Sequence, residues 1–587
     1  MFRQTGRFTE DGCVWQPWFG LRNRDAGQRR WRMRKYQEGR VAVQAISGTH
    51  AALLCMNMEP AQAKGLMGFA IQREDLFEQE ITWLRGNKSF ASVRPSLSAY
   101  ESVSSLFHPF QAFQWADYSV KPGRDYIYRV FPMYGRPGAL LRGNPTVVTI
   151  TSETAEGGTH QIYFNRGAIA SQAYSRRFGP FAPERVGPEA FNWLARDLLP
   201  GMLGFILRAQ NEHFALYGAI YEMRFEPVLQ AFRQAHLRGA GVHLIYDAGA
   251  GTPIARENEQ MIEAAQIKSL CTGRKNAQLM HNKFMVLVQD NQPVAVWTGS
   301  TNLSTNAFFG QLNVGHAIED RSIAGAYWQY WQELKADPAK PECKQWLQDN
   351  NPAPPEDADR PLTVVFSPHR GKEVFDWYTQ IASAARHTLF MTFPFGIVQG
   401  FRPVFNHRDQ VLRYALLEKY VNGGTAASRQ KAIEEIKAIR RLPNVGMALA
   451  GRVFTSRIDG WLLESKGLGT WVDWVHTKFM LVDPLSDRPV TISGSANWSE
   501  PGTNANDENM VIIRGDKRVA DIYFTEFMRI FSHHRFRESL AIHLAQSGRL
   551  DDWKPRDLAE DSDQWLPAHY DPGNERYMRR IYFSQGD

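Results

Sequence analysis

The sequence predicts an α/β protein made of two like halves, with a β-sandwich ahead of them. Three observations carry that prediction. First, His281-Asn282-Lys283 with Gly299-Ser300-Thr301-Asn302 recurs as His476-Thr477-Lys478 with Gly494-Ser495-Ala496-Asn497. The register recurs too: each glycine lies 18 residues past its histidine, and Asn313 and Glu508 each lie 13 past their serine. Self-similarity in one register marks an internal repeat, and it governs how the surrounding chain is read. Second, strands alternate with helices around both copies, the pattern of an α/β layer fold. Third, the region before the repeat holds short strands with turn signals, the pattern of a sandwich.

A chain of 587 residues exceeds what one core organises, so several domains are expected. With 43% hydrophobic and 22% charged residues it is globular in balance, not disordered. The net charge of +7 suits a polyanion or an anionic membrane surface. Cys13, Cys55, Cys271 and Cys343 are scattered with no CxxC pair. That argues against a disulfide framework or a zinc site and fits a reducing compartment. The stretch from Met1 to Cys13 has no apolar signal region, and no run approaches the roughly 18–20 apolar residues of a spanning helix. The expected setting is cytoplasmic, with room for peripheral contact with a membrane.

Residues 1–40 form a basic arm, in which Arg22, Arg24, Arg29, Arg30, Arg32, Arg34, Lys35 and Arg40 alternate with Trp31 and Tyr36. Such an arm serves nucleic-acid strands or membranes, or packs its aromatics on the next domain. Residues 41–155 read as the sandwich. Val41 to Ile46 and Leu66 to Arg73 are strands, and Lys121-Pro122-Gly123 turns into a strand with Tyr126, Tyr128 and Val130 on one face. This turn and its Tyr-x-Tyr-x-Val strand resemble the tyrosine-bearing strand of fibronectin type III domains. The resemblance implies a module that positions or recruits a protein partner.

The first half spans 156–340. Phe214 to Tyr221 and Val242 to Tyr246 are strands, and Pro227 to Gly239 is a helix with proline at its start and glycine past its end. Lys283 to Val288 and Val294 to Trp297 form the strand pair that presents Gly299-Ser300. Residues 341–362, with Pro352-Ala353-Pro354-Pro355, read as a linker or a surface arm. The second half spans 363–540, with a segment rich in helix formers, Val411 to Leu442, inserted before its motif. Phe390 to Val398 reads as a core strand and turn, with an acyl-accepting mouth as its alternative. The tail, 541–587, is polar with scattered aromatics, and its composition assigns it no element.

The two units resemble the paired motifs of the phospholipase D superfamily: His-x-Lys-x4-Asp, then a Gly-Ser-x-Asn turn. The resemblance covers about 160–540 and implies two α/β halves around one pseudo-twofold site, formed within a single chain. The chemistry can also be argued from the residues. Cleaving an anionic phosphodiester needs charge neutralisation, a nucleophile and an acid for the leaving oxygen. Lys283, Lys478, Asn302 and Asn497 can hold the non-bridging oxygens, with Ser300 and Ser495 as further donors. One neutral imidazole attacks phosphorus to give a phosphohistidine, and the other donates a proton to the leaving group. The scheme requires no metal and no cofactor.

The halves differ at two positions. Asp483 lies seven residues after His476, whereas Val288 stands at that place in the first unit and Asp290 two residues on. The superfamily's histidine-orienting acid corresponds to Glu508 in the second unit and to Asn313 in the first. A carboxylate beside His476 would favour the imidazolium, and an amide beside His281 the neutral ring. His281 is therefore expected as nucleophile and His476 as general acid. His316, His407, His533 and His534 receive no catalytic role. The favoured substrate is a phospholipid head group, by hydrolysis or transphosphatidylation. A nuclease or phosphodiesterase acting on DNA or RNA is the alternative, and an inactive adaptor the third reading.

Overall fold

The structure is a computed structural model and describes residues 34–95, 97, 101–167, 172–179, 181, 183–355, 359–450, 474–547 and 557–584. Most of the basic arm, 1–33, lies outside the described residues. Its described end is no free arm. Arg34–Gln37 is the edge strand of the first sandwich sheet, followed in order by Ala42–Ser47, Ala52–Asn57 and Gln114–Asp117. The second sheet runs Ala139–Arg142, Asp125–Arg136, Gly68–Asp75 and Glu80–Trp83, with Thr146–Thr151 also on the long strand. Tyr126, Tyr128 and Val130 do share one buried face, packed with Val43, Leu54, Phe69 and Ile71 between the sheets. Alternation along the strand puts every second side chain inside, which is why the period was legible.

The two halves that follow are seven-stranded mixed sheets of one topology. The first runs His160–Phe164, Val314–Ile318, Gln292–Gly299, Lys283–Gln289, Phe214–Ile220, Gly241–Asp247, Cys271–Arg274. The second runs Leu362–Ser367, Glu508–Arg514, Val490–Gly494, Phe479–Val482, Thr388–Phe393, Leu412–Leu417, Val445–Leu449. Numbered within each half, both orders are 1-7-6-5-2-3-4. The strand after each catalytic-motif lysine is central in its sheet, buried on both faces, so it reads as an unbroken apolar run. One core joins the inner faces of both sheets with the helices Arg321–Lys335 and Lys517–Ser547; Phe284, Tyr327, Phe479 and Tyr523 meet there.

Two expectations are corrected. Val411 to Leu442 is neither all helix nor an insertion: Leu412–Leu417 is a buried strand and Ala426–Arg440 a helix. These repeat Gly241–Asp247 and Pro253–Ala264 of the first half, and burial on both faces of the sheet overrode the helix preference of Leu and Ala. The expected linker begins with a helix, Lys340–Asn350, whose Cys343 and Leu347 are buried. Phe390 to Phe393 is the expected core strand, wholly buried.

The described part of the tail, 557–584, ties the sandwich to the second half. Trp565 and Leu566 enter the sandwich core, and the Trp565 indole donates to the Leu66 carbonyl at 3.1 Å. Tyr582 and Phe583 enter the core between the halves. Arg34 adds a buried ion pair to Asp521 on the long helix at 2.6 Å.

Candidate active site

Each half presents its histidine the same way. The residue before it makes a parallel bridge to the other half: Met280 to Asp507, and Val475 to Leu312. The His281 N–H donates to the Asp507 carbonyl at 3.0 Å, and the His476 N–H to the Leu312 carbonyl at 3.3 Å. The two halves are thus stitched together by backbone beside the two repeat histidines, around a pseudo-twofold axis.

The stitching crosses the side-chain partners. His281 Nδ1 lies 2.9 Å from both Glu508 carboxylate oxygens, and His476 Nδ1 lies 2.9 Å from Asn313 Oδ1. The expected pairing of Glu508 with His476 and of Asn313 with His281 is therefore corrected. Each serine-plus-13 residue opens the strand that faces the opposite half, so it reaches the opposite histidine. Backbone joins in the crossing: Ser495 bonds the His281 ring, and Ser300 the His476 ring. Because a carboxylate accepts, His281 Nδ1 carries the hydrogen and Nε2 is left with its lone pair.

Ser300 and Ser495 are fully buried and hold the turns, not an incoming anion. Ser300 Oγ donates to Asn313 Oδ1 at 2.8 Å and accepts from the Val314 N–H at 3.1 Å. Ser495 Oγ accepts from the Asn509 N–H at 3.0 Å. The glycines before them admit no side chain, since a Cβ on Gly299 or Gly494 would lie 2.2 Å from the Val314 or Asn509 carbonyl oxygen. Asn302 and Asn497 follow these turns, and the Oδ1 of each is buried without a protein partner. A partnerless amide oxygen can accept from a donor, and the same side chain turned about its last bond would offer its N–H instead.

Lys283 and Lys478 are buried, and each donates to the carbonyl of its own histidine, at 2.5 Å and 2.6 Å. Burial lowers Lys283 to about 8, against the pull of the Glu508 carboxylate. Burial lifts Glu508 to about 8, opposed chiefly by Lys283. Burial, then the two ammonium groups, holds both histidines well below their usual range, so the empty site contains neutral imidazoles.

Asp483 sits at the far end of its strand, away from the chemistry. Its carboxylate accepts from the backbone N–H groups of Arg386, His387 and Thr388 at 2.7–2.9 Å. In the first half Asp290, not Val288, takes this place. Asp290 and Asp483 share φ 46°, and each donates its N–H to the carbonyl at the head of the neighbouring strand, His213 or Thr388. Pairing with Phe214–Ile220 runs unbroken from Lys283 to Gln289, so the first half's strand pair is simply longer before its turn than the second half's.

The sequence pattern had singled out none of four other residues at the site. The Tyr221 ring lies 5.0 Å from the His281 ring and 5.1 Å from Lys283 Nζ. Arg274 is buried against Asp507 at 3.0 Å, fixing the residue that precedes Glu508. Asp247 and Glu418 close corresponding strands and accept the N–H just before each histidine. The equal topology of the halves is the signal that could have found the last pair, since both acids stand at one repeat position. His316 bonds His160 at 3.0 Å inside the fold, a structural contact.

Residues 205–335 and 457–531 match the family described as "Cardiolipin synthase, PLD-like domain". The chain thus carries a phospholipase D-like domain divided over its two halves. No curated protein matches it. Similar solved structures include the phosphatidylserine synthase of Haemophilus influenzae Rd KW20, at 12% identity and TM-score 0.39, over 61% of this chain and 92% of that one. Polyphosphate kinase of Porphyromonas gingivalis is similar at 9% identity and TM-score 0.38, over 61% of this chain and about half, 53%, of that one. Yeast tyrosyl-DNA phosphodiesterase is similar at 14% identity and TM-score 0.31, over 53% and 86%. Among the described residues no helix is long and apolar enough to cross a membrane.

Proposed function

We propose that this protein is a phosphodiesterase working through a covalent phosphohistidine, with His281 as nucleophile and His476 as general acid. The crossed pairing supports the reading: Glu508 orients His281 through Nδ1 and leaves Nε2 to attack. Nε2 forms a bond to phosphorus while the bond to the leaving oxygen breaks, and His476 Nε2–H gives that oxygen its proton. The Glu508 carboxylate then compensates the cationic phosphoimidazole. Neutral His476 next takes a proton from water or an acceptor alcohol, whose oxygen displaces His281 from phosphorus. Lys283, Lys478, Asn302 and Asn497 neutralise and hold the non-bridging oxygens. The assignment of His281 stands on a different ground from the one the sequence suggested. The carboxylate serves the nucleophile, as an acid orients the base of a hydrolytic triad.

His476 is neutral in the empty site, so the anionic substrate must bring its proton on. A phosphodiester charge beside the ring offsets the two lysines that hold its proton affinity down. The favoured substrate is a phospholipid head group, by hydrolysis or transfer, which the cardiolipin-synthase description of the matching family supports. A nucleic-acid substrate is the second reading, supported by the net charge of +7 and the arginines of residues 22–34.

The test is purified protein in EDTA offered phosphatidylcholine, phosphatidylglycerol and cardiolipin vesicles, single-stranded and duplex DNA, and RNA, with H281A and H476A alongside. Lipid cleavage that both variants lose supports the first reading, and added alcohol separates transfer from hydrolysis. Nucleic-acid cleavage lost in both selects the second. Activity that H281A retains would leave the repeat as scaffold, and activity restored only by a divalent metal would overturn the phosphohistidine.

A further inference from the structure

Asp247 and Glu418 occupy one position of the repeat. In the pairing with the preceding strand of its half, each directly follows the last paired residue: Tyr246 pairs with Ile220, and Leu417 with Phe393. Asp247 Oδ1 accepts the Met280 N–H at 3.0 Å, and Glu418 Oε2 accepts the Val475 N–H at 2.8 Å. Met280 and Val475 are the residues immediately before His281 and His476, and the same two residues make the bridges between the halves. Both acids are buried, at 3% and 4% exposure.

An amide N–H needs only an oxygen to accept it, and a serine or asparagine would supply one without the cost of a buried carboxylate. Two carboxylates in this place, on strands of quite different sequence, therefore ask for a role that uses charge. In the first half the charge has a target, because Asp247 helps Lys283 keep its proton. In the second half Glu418 faces Arg537, whose guanidinium lies 4.7 Å from the centre of the Trp474 ring. Trp474 in turn passes its carbonyl to the Leu312 N–H at 2.8 Å, across the seam between the halves.

We propose that Asp247 and Glu418 are a matched pair of positioning residues for the phosphoryl-transfer site. Each pins the backbone just ahead of one catalytic histidine. Neither touches the substrate. This inference rests on the phosphodiesterase reading above.

The test uses the full chain carrying D247N, E418Q, D247A or E418A, with kcat, KM, Tm and vanadate affinity measured on each. The amide variants keep an accepting oxygen but lose the charge. D247N is expected to lower kcat about ten- to a hundredfold and to move the alkaline limb of kcat/KM toward lower pH, with Tm near wild type. E418Q is expected to lower kcat at little changed KM and to leave that limb in place. The alanine variants are expected to lose Tm as well. If the amide variants match wild type in kcat and in pH profile, or if their kcat falls only with the folded fraction, the pair is merely structural and the proposal is overturned. A wild-type protein that cleaves no phosphodiester and binds no vanadate would instead sink the functional reading, and this proposal with it.

Discussion

At the scale of single residues, the two histidines are the same group in unlike company. His281 is oriented by a carboxylate and His476 by an amide, and in the proposed mechanism this difference separates nucleophile from acid. With an aryl phosphodiester, whose leaving group needs little protonation, H476N should still form the phosphoenzyme but fail to hydrolyse it. Mass spectrometry of the denatured, base-stabilised protein should place phosphate on His281; phosphate on His476 would reverse the roles. Overall turnover should drop on the order of 10²–10⁴-fold. The pH dependence follows from the neighbours. Glu508, lifted to about 8 by burial, must be ionised to orient His281, so kcat/KM should fall as pH drops below that value. Lys283, lowered to about 8 by burial, must be protonated to hold phosphate, so kcat/KM should also fall as pH rises above it. A narrow bell centred near about 8 is expected, from rates on a soluble diester. A broad plateau from 5 to 7 would contradict it.

At the scale of elements, the strand that carries each lysine is held at both ends. The near end is stitched to the opposite half, and the far end is capped by Asp483 or Asp290. Asp483 accepts three backbone N–H groups, of which that of Thr388 is buried, and charged acceptors of this kind matter more to stability than to chemistry here. D483A should therefore cost about 2–4 kcal/mol in denaturant unfolding while kcat of the folded protein changes little. D290A should cost far less, because among the described residues the Asp290 side chain bonds only the exposed His213 ring. A D483A protein with wild-type stability and no activity would move Asp483 into the site. The glycine turns are stricter. G494A forces a Cβ against the Asn509 carbonyl, next to Glu508. It is expected to displace that carboxylate from His281 and to reduce kcat as well as Tm.

At the scale of the whole molecule, the sandwich, the two halves and the tail share buried contacts. Gly48 of the sandwich packs against Thr525 of the long helix, where a Cβ would lie 2.0 Å from the hydroxyl. The Tyr118 hydroxyl donates to the Met528 carbonyl at 3.3 Å on the same helix. The tail then spans the sandwich and the second half, from Trp565 to Phe583. Ending the chain at residue 556 should expose both cores, and limited proteolysis should then cut first within 34–151. W565A alone should cost about 3–5 kcal/mol. A truncated chain that melts in one transition at the wild-type temperature would show the strap to be dispensable.

How much of this was legible in sequence depended on range. The two histidines, lysines and asparagines stood out because a repeat in fixed register betrays itself, and the sandwich face because alternation is local. The strand at Leu412–Leu417 was missed because its composition favours helix, and only pairing with Thr388–Phe393 and Val445–Leu449 makes it a strand. Asp247 and Glu418 were missed because an acid at a strand end looks ordinary until its distant N–H partner is known.

The sequence by itself determined the candidate groups for the site and that they come in two sets. Only the tertiary structure decided which set serves which. Glu508 belongs to His281, Asn313 to His476, and the two serines to their own turns, because the halves meet through the backbone beside each histidine and so exchange partners. A linear pattern records the spacing within a half. The pairing across the pseudo-twofold seam is a contact between residues 227 and 163 positions apart, and no local periodicity encodes it.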